Sequence, residues 1–498
     1  MYVHSVLCFN NLYNDVKSLI IKKLQVDANN SNNNVISPAI DLKNSESKQN
    51  IFQDNKMYDI IETYRLKSFN NPSKKDIKLG VLLLNLGGPE SMKDVEGFLY
   101  NLFADPDIIR LPSFLSALQK PIAYIIAKRR APKSSEAYES IGGGSPIVKY
   151  TSAQASKIER KLIKKGFDAK CYFAMRYWNP YTEEALNKMA SDNINTLVIV
   201  PLYPQYSIST SGSSLKLLQE LFYKNPDIWG PDKVSHTVVP AWYYRPGYIK
   251  TMAKLILNEV KLYNDDELKE GLHILFSAHG VPRSYIEAGD PYQRQIEECV
   301  QFISKEIAAQ LADDKTRPSS ISRDKAQYLI GKFGSVDNNI QPIKVHLSYQ
   351  SRVGPVEWLK PYTENILQDL GRDGVKNLIV VPVSFVSEHI ETLEEIDMEY
   401  RELALESGVK HWRRVPALNT DENFIDDMAQ LVVEALESPV LSLTEASMQE
   451  IDTSQNKMPL FSSTKQSNNN KFLMAGIVGT SLIDLFGGHP IISIVGMR

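Results

Sequence analysis

Between residues 79 and 438, short apolar runs alternate with longer stretches in which apolar side chains recur every third or fourth position. The runs predict strands over residues 80–86, 169–175, 196–202, 234–239, 274–278, 344–348 and 378–385, and the periodic stretches predict helices over 152–165, 182–190, 249–262, 292–311 and 390–406. Strands alternating with helices imply parallel sheets covered by helices on both faces. The series is too long for one six-stranded unit, so the fold class expected is α/β with two similar doubly wound lobes, dividing near residues 240–246. Two segments interrupt the pattern. Residues 113–131 form one or two apolar helices, either ordinary packing or a lip beside a cleft, and residues 313–339 read as a polar surface insertion. No internal repeat is visible.

The ends differ from the middle. Residues 1–76 are rich in Asn, Ser and Lys and lack sustained periodicity, which reads as a leader; Val16-Lys17-Ser18-Leu19-Ile20-Ile21-Lys22-Lys23 gives it the basic and apolar character of a targeting segment. The first lobe then covers 77–242 and the second 243–440, with a linker at 441–470 and an apolar tail at 471–498. A bilayer span needs about 20 apolar residues. Gly487-Gly488-His489-Pro490 interrupts the tail, so it reads as a marginal span or a membrane-surface segment, against the alternative of a terminal helix docked on the core.

With a net charge of -3 over 498 residues, the chain has no electrostatic case for a nucleic-acid partner. The three cysteines, Cys8, Cys171 and Cys299, have no paired spacing, so a disulfide framework or a Cys-rich metal site is not expected. Oligomeric state stays open.

Chemistry gathers where two predicted strands end. His279 closes the run His273-Ile274-Leu275-Phe276-Ser277-Ala278 and is followed by Gly280, so small neighbours leave space around an imidazole that could otherwise be an ordinary core histidine. The run 378–385 leads into Ser387-Glu388-His389-Ile390-Glu391. Spacings of three and four place Glu388, Glu391, Glu395 and Glu399 near one helical face, a solvated acidic surface or a row that tolerates repulsion because a divalent cation moves along it. A His facing a Glu across a strand-end crevice can move protons, hold a metal, or do both in turn. Gly142-Gly143-Gly144-Ser145-Pro146 lacks the ending of a phosphate loop and reads, with Leu86-Gly87-Gly88-Pro89, as a tight turn in a cavity wall. Arg129, Arg130 and Lys133 could clamp a carboxylate-bearing ligand, and the aromatic and hydroxyl clusters at 176–178 and 203–214 suit a broad, flat one. On residues alone, the reading is a two-lobe binding protein or a metal-handling enzyme.

Nine blocks in order make the chain resemble the ferrochelatase family over about residues 80–436. They begin with Gly80-Val81-Leu82-Leu83-Leu84-Asn85-Leu86-Gly87-Gly88-Pro89-Glu90, Lys128-Arg129-Arg130-Ala131-Pro132-Lys133, Tyr138, and Ile141-Gly142-Gly143-Gly144-Ser145-Pro146-Ile147. Phe173-Ala174-Met175-Arg176-Tyr177 and Pro201-Leu202-Tyr203-Pro204-Gln205-Tyr206-Ser207 follow. Phe276-Ser277-Ala278-His279-Gly280-Val281-Pro282, Tyr349-Gln350-Ser351-Arg352-Val353-Gly354-Pro355 and Ser387-Glu388-His389-Ile390-Glu391-Thr392-Leu393-Glu394-Glu395 complete the set.

The resemblance implies insertion of Fe²⁺ into protoporphyrin IX, in a cleft between the lobes, as the terminal step of haem synthesis. It implies that His279 and Glu391 face each other and do the chemistry, that His279, Glu391, His389 and Glu395 handle the metal, and that Arg129, Arg130, Lys133, Tyr138 and Ser145 surround the porphyrin entrance. Arg176 and Tyr177 would face the pocket floor. Coproporphyrin or a related tetrapyrrole chelatase, and a non-catalytic tetrapyrrole carrier, are the alternatives. No cysteine follows Cys299, so no iron–sulfur cluster is expected, and iron is substrate rather than prosthetic group. The tail around Asn469-Asn470-Lys471-Phe472 is similar to a degenerate pigment-binding helix of photosynthetic lineages, which implies a plastid membrane address, with the mitochondrial inner membrane as the alternative.

Overall fold

The computed structural model describes residues 77–437 and Leu443, apart from residues 107, 110, 112, 231–232, 316, 318–320, 322–342 and 353–355. The leader, the tail, the linker except Leu443, and most of the 313–339 stretch therefore lie outside the described residues. Within them the chain builds two parallel four-stranded sheets, ordered β2-β1-β3-β4 and β6-β5-β7-β8. The first contains β1 (Lys78–Asn85), β2 (Asp168–Met175), β3 (Thr196–Pro201) and β4 (Ser235–Val238). The second contains β5 (His273–His279), β6 (Lys344–Gln350), β7 (Asn377–Pro382) and β8 (His411–Arg414). The strand order is the same in both.

Central strands are apolar on both faces because helices cover both: every residue of β3 and β7 is buried. Apolar residues of both sheets, Leu82 and Val198 from one and Phe276 and Val381 from the other, belong to one continuous core. The stretch 240–246 separates the sheets in sequence and carries Trp242 and Tyr243 into that core, Trp242 lying edge-on to Tyr248 at 5.5 Å.

A second, smaller core lies on the other face of the second sheet. Leu275 of β5 and Leu378 and Val380 of β7 pack there against Leu367, Ile396 and Ala404. Alternation along β5 sends Ile274, Phe276 and Ala278 to the shared core and Leu275 to the smaller one; Ser277 and His279 follow Leu275 in phase. Just beyond the end of β7, Ser384 Oγ accepts from the His279 N–H. One extra residue in β5 would turn the imidazole to the opposite face.

The lip was expected to stop at Ala131, before Pro132. Instead a 3₁₀ turn at Ser113–Leu118 leads into a helix spanning Gln119–Ser140, with Pro132 inside it. Proline removes one backbone donor and crowds the carbonyl four residues earlier. That carbonyl belongs to Lys128, and both Lys128 and Pro132 are exposed, so water can take over the lost bond. The two glycine turns interlock: Ser145 N donates to Pro89 O at 2.7 Å, and a Cβ on Gly144 would stand 2.3 Å from Glu90 O. Gly144→Ala is therefore expected to destabilise the fold by about 1–3 kcal/mol through overpacking. Thermal denaturation checks this, and an unchanged midpoint would refute the interlock.

Candidate active site

In each sheet the chain leaves the first strand in one direction and returns past it to the third, so the crevice between β5 and β7 is a switch point of the kind where open α/β sheets bind ligands. His279 ends β5 at that crevice. Its backbone N–H donates to Ser384 Oγ at 2.8 Å and its carbonyl accepts from Tyr292 OH at 2.8 Å, which fixes the main chain beneath the ring. Its Nδ1 lies 2.8 Å from Glu391 Oε2. The edges of Trp358 and Phe385 flank the imidazole at 6.4 and 6.3 Å between centroids. The His279 side chain remains 32% exposed, so its outer face opens on the crevice.

Glu391 begins a π-helix, Glu391–Tyr400, that continues as an α-helix through Arg401–Ser407. Burial opposes charge on both partners of the pair. The proximity of the opposite charge wins, holding the imidazole above its ordinary value and the Glu391 carboxyl well below the usual carboxylate range. Gln350 Nε2 and Ser351 Oγ also approach Glu391 Oε2, at 3.3 and 3.1 Å. Ser351, whose φ of +60° puts it in the left-handed region, also lies 2.8 Å from Glu395 Oε2. Its one hydroxyl hydrogen is within reach of both carboxylates, and the contact to Glu395 is the shorter of the two. Burial first, and the Glu391 charge second, push the Glu395 carboxyl up to about 7. Tyr400 OH holds its other oxygen at 2.8 Å. The result is a connected row, His279–Glu391–Ser351–Glu395.

His389 is buried, and its Nδ1 lies 3.1 Å from the Ser387 carbonyl, which assigns the ring proton to Nδ1 and leaves Nε2 facing Glu391 Oε1 at 3.9 Å. Burial lowers its pKa, so its lone pair is available. Glu388 departs from the expected acidic row. It is buried, pairing with Arg414 Nη1 at 2.9 and 3.2 Å and accepting from Ala417 N at 3.0 Å. A solvated or cation-carrying role does not suit a carboxylate neutralised in this way. Farther along, Glu394 is pushed up to about 7 by burial first and by Glu399 second, with Lys133 opposing. Among the described residues no three or more of His, Cys, Asp and Glu converge as a closed metal cage, so the four expected metal-handling groups form an open neighbourhood.

The remaining site residues divide. Tyr138 is buried, and its phenol is pushed up by desolvation first and by the Glu391 charge second. Arg129 and Lys133 are exposed on the same helix, while Arg130 is half-buried over the Phe103 ring at 5.8 Å. Ser145 is buried in the turn, its Oγ accepting from Ile147 N at 3.4 Å. Arg176 and Tyr177 both bind Asp105, at 2.6 and 2.7 Å, and Tyr177 is 1% exposed. They form a pinned wall in the first lobe, and no described contact brings them against His279. The sequence had shown neither Asp105 nor the supports Tyr292, Ser384, Gln350 and Ser351. Gln350 and Ser351 carry a signal, because they stand where β6 ends, the same strand-end position that singles out His279 on β5.

Residues 78–436 match the family described as Ferrochelatase. The chain is 52% identical over 362 residues to "Ferrochelatase-2, chloroplastic" of Arabidopsis thaliana, covering 72% of this chain and 64% of that protein. It is 46% identical over 426 residues to "Ferrochelatase" of Nostoc punctiforme, covering 84% and 99%. Among solved structures it aligns with SirB from Bacillus subtilis with Fe3+ at a TM-score of 0.39 and 9% identity, over 72% of this chain and 96% of that one. On the extent of the family match and the near-complete span of the cyanobacterial relative, the chain belongs to the ferrochelatase family.

Proposed function

We propose that this protein is a protoporphyrin ferrochelatase, a lyase-class metal chelatase that inserts Fe²⁺ into protoporphyrin IX to form protohaem. The observation that carries the reading is the His279–Glu391 contact at 2.8 Å, at the mouth of the second-sheet crevice. Metallation breaks two pyrrole N–H bonds, forms four iron–nitrogen bonds and releases two protons. A base and an exit for protons are therefore required, and a non-catalytic carrier needs neither. Neutral His279 accepts a pyrrole proton. Glu391 stabilises the imidazolium so formed, and the row through Ser351 to Glu395 supports onward transfer away from the ring. His389, neutral by burial, offers a nitrogen ligand to the incoming iron beside the Glu391 carboxylate.

Arg129, Arg130 and Lys133, on the helix that also carries Tyr138, would receive the propionates, and the Asp105-pinned Arg176 and Tyr177 would give the macrocycle a rigid wall. We expect no resident cofactor, because iron is substrate and the cysteines have no clustered spacing; burial pushes the Cys299 thiol up to about 12. A plastid address is supported by the names of relatives such as the Arabidopsis protein. The membrane part of that address rests on the apolar sequence at 472–497, since no helix among the described residues is long and apolar enough to cross a bilayer. The test is anaerobic metallation: purified full-length protein with Fe²⁺ and protoporphyrin should convert the free-base absorbance to that of protohaem. No turnover with protoporphyrin, alongside turnover with coproporphyrin, would overturn the substrate assignment.

A further inference from the structure

Arg414, the last residue of β8, touches the segment that carries the metal-facing groups at two points. Nη1 meets both Glu388 oxygens, at 2.9 and 3.2 Å, and Nε lies 3.1 Å from Asp397 Oδ2 as an ion pair whose N–H is not aimed at that oxygen. Between these two anchors lie His389, Glu391 and Glu395. At the first anchor, Thr392 Oγ1 donates to Glu388 Oε2 at 2.5 Å and accepts from His389 N at 3.1 Å, so the Arg414 contact is carried into the backbone of His389. The turns in between are π-helical, a wider winding with poorer geometry that seldom persists without outside support.

A buried cation needs a partner, and Glu388 alone supplies one. Asp397 is 35% exposed and is not required to neutralise the guanidinium, yet it is drawn to it from the middle of the π-helix. The neighbouring Arg413 turns the other way, toward Glu259 at 3.9 Å and the Tyr263 ring at 4.9 Å.

We propose that Arg414 is a positioning residue of the metallation site, stapling Glu388 to Asp397 across the wide turn and so aiming Glu391 and Glu395 at His279. This rests on the chelatase reading and deepens it. The decisive variants are Asp397→Asn, which spares the Glu388–Arg414 pair, and Arg414→Lys, which keeps the charge but loses the two-point reach. Each is expected to lower kcat for Fe²⁺ insertion by about tenfold or more, as losses of supporting contacts at metal sites do, with the porphyrin KM unchanged. Asp397→Glu should restore kcat. In Asp397→Asn, amide hydrogen exchange over residues 391–400 should quicken while β5 and β7 stay protected. A wild-type kcat in Asp397→Asn, whatever the exchange shows, overturns the positioning role. Unchanged exchange over 391–400 overturns the staple even if the wild-type protein metallates no porphyrin, an outcome that would sink the function separately.

Discussion

His279→Ala is expected to lower the rate of porphyrin metallation by about 10²- to 10⁴-fold, the usual worth of a positioned general base. Among the described residues the imidazole is the one ring in the crevice held by a carboxylate on one nitrogen with its other face open, and its neighbours are poorly placed to replace it: Glu395 lies beyond Ser351 in the row, and His389 is buried with Nε2 turned toward Glu391. The main chain beneath residue 279 is fixed by Ser384 and Tyr292, contacts that Ala keeps, so the fold and porphyrin affinity should survive. Steady-state absorbance gives the rate, and quenching of porphyrin fluorescence gives the binding. A variant within about tenfold of wild type would remove His279 from the chemistry. A variant that no longer binds porphyrin would make the residue part of the binding wall.

How much of this site could be read from the chain follows from the range of the forces involved. The central strands were legible because β3 and β7 are buried on both faces and must be continuously apolar. β8 was not, because His411–Arg414 has four half-buried polar or aromatic residues and no alternation. The helices at Ser213–Lys224, Thr363–Arg372 and Glu422–Glu437 are not among those predicted, although the last has eight buried residues at helical spacing.

Doubling of the architecture was predicted as two lobes, but its regularity was invisible in the sequence. Both sheets share one strand order, and in both the third strand is followed by a π-helical stretch, Ile208–Gly212 in one and Glu391–Tyr400 in the other. Packing rules repeat without repeating residues. The pairing of His279 with Glu391 was expected from the family resemblance, 112 residues apart, and is found. The fate of Glu388 could not be foreseen, since its partner Arg414 lies 26 residues away on the strand that escaped recognition.

Glu391→Gln is the sharper experiment, because it keeps the shape and removes only the charge. Two forces act on His279: burial, which opposes the imidazolium, and Glu391, which favours it and prevails. Without the carboxylate, burial acts with only the more distant Glu395 against it, and the His279 pKa should fall below its ordinary value of 6.5. In the wild type the rate should rise with pH through a value above 6.5, as the imidazole becomes the free base; in the variant that limb should move to lower pH while the plateau drops by about 10²-fold or more, since the imidazolium formed during proton abstraction is no longer stabilised. Stability should respond in the same sense. A raised imidazole pKa contributes stability that is complete below about 6.5 and is lost as pH rises through the folded value, and a depressed carboxyl contributes stability that is lost as pH falls through its folded value. Removing Glu391 cancels both contributions, so the gap in melting temperature between wild type and variant should be widest between those two limits and narrow on either side. Imidazole resonances followed by NMR across pH give the first shift, and calorimetry gives the second. A His279 titration that stays above 6.5 in the variant would mean that Glu391 does not set its charge, and the proton route from the porphyrin would have to run elsewhere.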